Sequence, residues 1–263
     1  MIPLGVGDSD ATSSSRARHA WTLVLLSPAC TAAGFFCGIP ILLLAFAAAP
    51  AWTAMIALLR DRRRGAAIGA MLAWAALLGT TTTSLSVAFP ERAARVVIHG
   101  PAYWHEMSAW LETGEGRESR PAEFVPQHVL HAAIFVAASL TTASLLAIMF
   151  GAFLMNYMAY YVSRVVLLTP THPVLAGLCA WHPWSLVRIA SFVALGVVLA
   201  EPVLSRLPWT PRLSASLRPN ESAPVHSSRW WSIIGLAACG LALDILLKAA
   251  LAPHWPALLR SLR

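Results

Sequence analysis

A run of forty residues without a single Asp, Glu, Lys or Arg decides the fold: residues 20–59 read AWTLVLLSPACTAAGFFCGIPILLLAFAAAPAWTAMIALL. A membrane-spanning helix needs about 20 predominantly apolar residues, so this run holds one long span or two short ones. The favoured interpretation places residues 20–30 at the membrane interface and one kinked helix over 32–59. The alternative, two spans that meet near residues 38–40, leaves almost no residues for the turn.

Composition extends this conclusion to the whole chain. Of the 263 residues, 57% are hydrophobic and only 12% are charged, whereas roughly 25% are charged in soluble proteins. A soluble domain cannot bury so much apolar surface, which excludes an ordinary globular, a disordered or a fibrous protein. Because the apolar runs are long and short alternating segments are missing, the spans should be helices. We predict an all-α, polytopic transmembrane helical bundle with about five spans plus short interfacial or re-entrant segments.

Polar segments between the apolar runs give the organisation of the chain. The expected parts are a mobile polar tail (1–19), the first and second transmembrane segments (20–89), an acidic loop (90–127), the remaining bundle (128–252) with a polar loop at 205–229, and a short tail (253–263). The apolar stretch 20–49 is longer than the 7–15 residues of a signal-peptide core, so we expect it to be retained. Whether 165–184 crosses the membrane stays open.

Charge predicts the orientation. Arginines at 60 and 62–64 lie between two apolar runs, and short basic loops remain in the cytoplasm. The loop 90–127, which holds six of the twelve acidic residues, should then be extracytoplasmic, in a bacterial cytoplasmic (inner) membrane. The next span should return to the cytoplasm near Arg164. Five spans would place the arginine-containing loop 205–229 outside, against the rule, so the side of the C-terminus stays open.

Histidines and carboxylates concentrate in and just after the acidic loop, where they form the richest candidate site. His128 and His131 are three residues apart, so one helix would present both on the same face. Imidazole and carboxylate groups together can hold zinc, copper or iron. The candidate metal ligands are His105, Glu106, Glu123, His128 and His131. Their spacing matches no standard motif, and the alternative is hydrated side chains at the membrane surface. No cofactor is assigned, and a metal ion is one hypothesis.

Two further polar groups lie within apolar runs. Asn156, Tyr160 and Arg164 are spaced four residues apart and predict a polar stripe on one helix face. The stripe is typical of a membrane interface, and the alternative is a site for an anionic group. Asp244 and Lys248 are also four apart, and an ion inside the bilayer needs a partner. We expect them to form an intramembrane ion pair within their helix, and the alternatives are contacts to another helix or subunit and an ion or proton pathway.

Small and hydroxyl-bearing residues mark surfaces where helices can approach closely. Hydroxyl side chains concentrate in residues 80–86 and 139–144, and glycines are spaced four apart at 34/38 and 65/69. Both patterns predict close helix packing. A polar translocation path along the hydroxyl groups is the alternative.

The sequence says much less about the function of the protein than about its location in a membrane. The sequence carries no strong catalytic motif and shows no resemblance to a family. The expected function is a non-catalytic helical subunit or scaffold of a membrane protein complex, with the lipid bilayer and other membrane subunits as partners. The alternatives are a permease or channel component, and a membrane enzyme with a His/Glu metal site at the extracytoplasmic mouth. Nucleic acid is excluded as a partner because the arginines are scattered and form no basic stripe.

Overall fold

The computed structural model describes residues 7–206 and 228–262, and all regular structure in these two ranges is helical. The helices are α1 (Gly7–Cys37), α2 (Pro40–Arg60), α3 (Arg64–Ala88), α4 (Pro90–Val96), α5 (Gly100–Thr113), a 3₁₀ turn (Arg117–Ser119), α6 (Pro121–Thr142), α7 (Leu145–Leu168), α8 (Pro173–Ala180), α9 (Pro183–Leu204), α10 (Ser228–Leu251) and α11 (Trp255–Ser261).

Seven helices among the described residues are long and apolar enough to cross a membrane: α1 from Ser15, α2, α3, α6, α7, α9 and α10 from Trp230. The chain is therefore a multi-pass integral membrane protein, and the predicted all-α bundle is confirmed. Of the short helices, α8 falls in the segment 165–184 that was expected to be interfacial or re-entrant, whereas α4 and α5 lie in loop 90–127 and α11 in the C-terminal tail. The predicted number of about five spans is too low by two.

The first additional span comes from residues 20–59. The structure contains two helices here, α1 and α2. The favoured prediction of a single kinked helix over 32–59 was therefore wrong. Gly38 adopts a left-handed conformation with φ of +78°, which glycine allows without steric cost, and Pro40 starts α2 at the position that proline favours. Pro28 and Pro50, in contrast, lie inside helices.

The second additional span comes from the stretch 128–168, which was expected to cross once. Ala143 and Ser144 both have positive φ and separate α6 from α7. The indole nitrogen of Trp52 donates to the Ala143 carbonyl at 3.0 Å, and the Ser144 hydroxyl donates to the Gly196 carbonyl at 2.7 Å. Side chains and backbone from other helices therefore hold this tight turn.

Ion pairs show which helix ends lie together. Arg16 pairs with Asp61 at 2.9 Å, and Arg64 pairs with Glu201 through two contacts of 2.6 and 2.8 Å. We call this side of the bundle the basic end. The opposite side, the loop end, carries α4, α5, the 3₁₀ turn, α8 and α11. Arg164 lies at the loop end, with its guanidinium 5.8 Å from the Trp104 ring of α5, so the expectation that it faces away from loop 90–127 was wrong.

The structure shows the position of some of the segments that the sequence left open. The helix α8 has eight residues, about 12 Å at 1.5 Å per residue, which is too short to cross a bilayer. The C-terminal helix α11 contacts α5, because Arg260 donates to the carbonyls of Leu111 and Glu112. The predicted N-terminal tail is helical from Gly7 onwards, while residues 1–6 and most of the polar loop 205–229 lie outside the described residues.

The central span of the bundle is α7. Of the most apolar stretch of α7, 56% of the residues are buried, against 17% in α6 and in α10. The main apolar core joins α1, α2, α3, α7 and α9 and includes Leu58, Trp74 and Val197. The helices α6 and α10 therefore lie at the periphery, and the space between them and the core helices contains the candidate site.

Candidate functional site

A cavity of about 380 Å³ lies between the helices, chiefly α3, α6, α7 and α9. This volume falls in the range of roughly 300–1,000 Å³ that small-molecule sites occupy. At the loop end its wall includes Glu106, Glu118, Arg188 and Lys248, together with His128 and His131. Towards the basic end the wall becomes apolar, so the cavity has a charged and a hydrocarbon-like part.

The apolar part extends deep into the bundle. Val197 lies nine residues beyond Arg188 on α9 and also lines the cavity, which corresponds to about 14 Å along the helix axis. This is close to half of the roughly 30 Å hydrocarbon core of a bilayer. The apolar wall includes Met71, Trp74, Phe135, Ile148, Met155 and Phe192. The indole nitrogen of Trp74 donates to the Ala47 carbonyl at 2.9 Å, so its polar atom is already satisfied.

Arg188 is the central charge of the polar part. Its Nε lies 3.0 Å from Oδ2 of Asp244, a carboxylate that is only 1% exposed. The ion pair joins α9 to α10. No hydrogen bond from the terminal Nη groups of Arg188 to another described residue is found, and Arg188 lines the cavity. Asp244 therefore holds the guanidinium in place while its outer donors stay available.

Two histidines lie beside this ion pair on α6. Nδ1 of His128 donates to the Phe124 carbonyl at 2.7 Å, because a carbonyl can only accept. Its Nε2 lies 3.6 Å from Asp244 Oδ2, and within the described chain this buried atom has no hydrogen-bond partner. Nδ1 of His131 is likewise buried without a partner. Unsatisfied buried polar atoms are rare and indicate a group or water that completes them.

Lys248 contributes the second cation. Its ammonium is 3% exposed, lies 2.8 Å from Glu118 of the 3₁₀ turn, and is 4.6 Å from the centre of the Phe124 ring. The structure thus gives the two members of the expected Asp244–Lys248 pair different partners. Asp244 pairs across to Arg188 and Lys248 pairs with the loop end, because both side chains point to neighbouring elements that carry the opposite charge.

The candidate metal ligands do not form one ligand set. His105 is exposed, and Glu123 pairs at the surface with Arg120 at 3.2 Å. Glu106, His128 and His131 all line the cavity. Across residues 7–206 and 228–262, no group of three or more His, Cys, Asp or Glu side chains is placed to hold a metal ion. The structure therefore brings three of the five to the cavity without building a metal centre.

The predicted polar stripe on α7 packs against other helices. Asn156 accepts a hydrogen bond from the Thr82 hydroxyl of α3 at 2.9 Å. Tyr160 is buried in a cluster with Phe35 and Val97, and Arg164 contacts the Trp104 ring as described above. None of the three is among the cavity-lining residues, so the stripe connects helices and does not line this site.

Tyr103 of α5 reaches the cavity from the loop end. Its hydroxyl lies 3.7 Å from the Met158 sulfur. Burial, helped by the negative charge of Glu118, raises the pKa of Tyr103 well above its usual range. The phenol therefore stays protonated and remains a hydrogen-bond donor at the mouth of the cavity.

His182 immediately precedes α9 and lies in an aromatic cluster close to the charged groups. Its ring stacks on Trp184 at 4.5 Å, and the Trp110 and Trp255 rings meet it edge-on. The Tyr161 hydroxyl lies 3.3 Å from its Nε2. Burial, followed by the positive charges of Lys248 and Arg188, lowers the pKa of His182 well below its usual range. The neutral ring is a structural connection between α5, α7, α9 and α11.

Sequence reasoning missed Arg188. The span around residues 185–204 was recognised, but the single charge in its first third was not singled out. An ionisable residue inside an apolar span is itself a signal of function, and this signal would have found it.

Comparisons with protein-family models, with curated proteins and with solved structures find no match for this chain. The interpretation of the site therefore rests on its geometry.

Proposed function

We propose that this membrane protein binds an amphiphilic molecule of the bilayer in the cavity. The polar group of the ligand lies against Arg188, His128 and His131, and its hydrocarbon part extends along Trp74, Phe192 and their neighbours. The observation that carries the proposal is that one continuous cavity inside the bundle changes from charged to apolar along its length.

Two physical arguments support this assignment. Ionisable side chains within a membrane are costly and are usually retained where they bind or transport something. A hydrocarbon chain in the apolar part of the cavity would also gain dispersion contacts with the side chains that line it. A permease and a membrane enzyme would both begin with this binding step, so the proposal is common to those two alternatives.

We further propose that the basic end faces the cytoplasm of a bacterial inner membrane. With seven spans, loop 205–229 begins at the same end as the arginines at 60 and 62–64, and Arg16 and Arg18 lie in the first turn of the first span, at that end as well. All strongly basic loops then obey the positive-inside rule. The loop end, with the charged part of the cavity, would face the extracytoplasmic side.

Photocrosslinking tests the binding proposal. Single-chain amphiphiles with a diazirine in the acyl chain are added to the purified protein, and adducts are located by peptide mass spectrometry. We expect adducts on residues of α3, α7 and α9 that line the cavity. Gly151 lines the cavity, and a Cβ built on it meets no atom within 4 Å, so Gly151→Phe should fill the space and reduce these adducts at least tenfold.

The matched control is Gly235→Phe on α10. Gly235 is exposed, has no atom within 4 Å of a built Cβ, and does not line the cavity, so its labelling should equal that of the wild type. Adducts confined to the outer surface, or cavity adducts that Gly151→Phe leaves unchanged, would refute the proposal.

The subunit role remains a second candidate because other helices of the bundle bury only a small fraction of α6 and α10. Leu236 and Leu246 of α10 are 74% and 66% exposed, and a partner helix could pack there in place of lipid. Cysteines at these two positions should then be shielded from a membrane-soluble thiol reagent in native membranes but not after purification. Equal labelling in both preparations would exclude a partner on this face.

A further inference from the structure

We infer that the ligand's polar group is a phosphate monoester, bound by Arg188 and His128. The inference rests on the proposed amphiphile binding and adds the chemical class of the headgroup. Two features of the polar end of the cavity support it: the carboxylates there are paired with cations, and several hydrogen-bond donors and acceptors have no partner in the described part of the chain.

The carboxylates at this end are largely neutralised by cations. Asp244 is paired with Arg188 at 3.0 Å and Glu118 with Lys248 at 2.8 Å. Glu106 is 47% exposed at the mouth and lies 3.9 Å from Arg117. Because Asp244 contacts Arg188 through Nε, the two Nη groups can still donate in parallel to two oxygens of one ligand. Such a fork fits a phosphate or a carboxylate.

His128 distinguishes between these two anions. With Nδ1 committed to the Phe124 carbonyl, the neutral ring presents an acceptor at Nε2. This atom is buried and has no hydrogen-bond partner among the described residues, and the side chain is 7% exposed. An ionised carboxylate has no proton to offer Nε2. A phosphate monoester that retains one O–H offers both the oxyanions for Arg188 and the donor for His128.

His131 supplies a further unsatisfied atom on the same face of α6. Its Nδ1 is buried without a partner in the described chain, and the residue lines the cavity. The third non-ester oxygen of a phosphate monoester can donate its proton to His128 and also accept from a second imidazole, whereas a carboxylate has only two oxygens. Oδ1 of Asp244 is a further buried acceptor without a partner among the described residues. A tetrahedral anion that keeps one O–H offers more oxygens and a proton to this set of atoms than a carboxylate does.

Competition against the diazirine amphiphile tests this assignment. Four competitors share one alkyl chain and differ in headgroup: phosphate monoester, carboxylate, hydroxyl and trimethylammonium. A fifth competitor is inorganic phosphate alone. We expect the phosphate amphiphile to compete at least tenfold better than the hydroxyl analogue, with the carboxylate between them. Inorganic phosphate at millimolar concentration should not compete, and displacement by it would assign the subsite to free phosphate and overturn the inference.

Variants connect the preference to Arg188. Arg188→Met should abolish the preference for phosphate while the hydroxyl amphiphile still binds. Because this change leaves Asp244 buried without a partner, the double variant Arg188→Met/Asp244→Asn removes both charges and should show the same loss. Arg95→Met is the matched control, since Arg95 is exposed at the loop end and does not line the cavity.

The outcomes separate the two proposals. Labelling that depends on Gly151 but is equal for all headgroups, or strongest for trimethylammonium, overturns the phosphate inference and leaves amphiphile binding intact. A preference for phosphate that survives in Arg188→Met and in the double variant also overturns it. Absence of Gly151-dependent labelling with every amphiphile refutes the proposed function itself.

Discussion

At the residue scale, the site depends on buried charges that are paired between elements. Asp244 and Lys248 are 1% and 3% exposed and lie on the same helix, yet each is paired with a residue of another element. A charge in the bilayer interior is stable only with such a partner. The apolar run around them indicated that both charges were intramembrane, and the spacing of four residues predicted that they pair with each other. The spacing could not show that better-placed opposite charges lie on α9 and on the 3₁₀ turn.

The Lys248–Glu118 pair gives the first prediction at this scale. Lys248→Met leaves Glu118, whose side chain is 15% exposed, without its cation, and should lower the free energy of unfolding by about 3 kcal/mol. Adding Glu118→Gln removes the unpaired charge and should restore most of this loss. Unfolding by SDS titration of the protein in mixed micelles measures both.

The surface pair Arg120–Glu123, with side chains 58% and 43% exposed, provides the comparison. Arg120→Met should cost about 0.5 kcal/mol or less, because exposed ion pairs contribute little. If Lys248→Met costs no more than Arg120→Met, the buried pair does not stabilise the contact between α10 and the 3₁₀ turn.

His182 gives a prediction about acid. Its pKa is lowered in the folded protein by burial and by nearby positive charge, whereas the unfolded ring takes up a proton near pH 6.5. Acid therefore favours the unfolded state. Relative to His182→Gln, the wild type should lose about 2 kcal/mol of additional stability between pH 6.5 and pH 5.

The same pair of proteins at pH 8 supplies the baseline, since His182 of the wild type is neutral there in both the folded and the unfolded state and only the packing difference from Gln remains. Parallel stability curves for the two proteins over pH 8 to 5 would show that His182 does not resist protonation in the fold.

At the element scale, close helix packing is set by particular glycines. A Cβ on Gly34 would lie 2.9 Å from the Leu43 Cα of α2, whereas one on Gly65 or Gly69 would meet no atom within 4 Å. The predicted small-residue contact is therefore present at Gly34, where it joins α1 to α2, and absent at Gly65 and Gly69 among the described residues. Gly38 serves the turn between these two spans and not their packing.

Substitution of these glycines tests the difference. Gly34→Ala should destabilise the protein by about 1–3 kcal/mol, because the backbone of α2 cannot move away cheaply. Gly69→Ala should leave stability unchanged or raise it by up to about 1 kcal/mol through helix propensity. SDS unfolding of both variants measures the effects, and equal values for the two would contradict the assigned hairpin contact.

Local sequence alone does not distinguish a proline that begins a helix from one that lies inside a helix. Prolines at 28, 40 and 50 are equivalent in the sequence, but Pro40 alone begins a helix, because Gly38 precedes it in a left-handed conformation. The turn at Ala143 and Ser144 has neither Gly nor Pro. It is held by Trp52 and by the Gly196 carbonyl, which are distant in sequence, so no local pattern could predict it.

At the scale of the whole molecule, the number of spans decides both topology and site. Composition correctly predicted a helical membrane bundle, but five spans would leave loops 90–127 and 205–229 on one side. Seven spans separate them and bring the charges of α6, α9 and α10 to the loop end. His128, His131, Asp244 and Lys248 were recognised from the sequence, whereas their convergence around Arg188 required the tertiary structure.

Cysteine accessibility tests the proposed topology. In a background without native cysteines, single cysteines replace Arg63, Glu115, Glu221 and Ser261. In intact cells an impermeant thiol reagent should label the cysteines at 115 and 261 and spare those at 63 and 221. Protection at 261 together with labelling at 221 would support five spans and contradict seven.

Native mass spectrometry tests whether the cavity holds one amphiphile inside the protein. Wild-type protein released from detergent micelles should retain one molecule of a phosphate-headed amphiphile at collision energies that strip surface lipid. Gly151→Phe should lose it, while Gly235→Phe should keep it. Equal retention by wild type and Gly151→Phe, or no retention by the wild type, would contradict the claim.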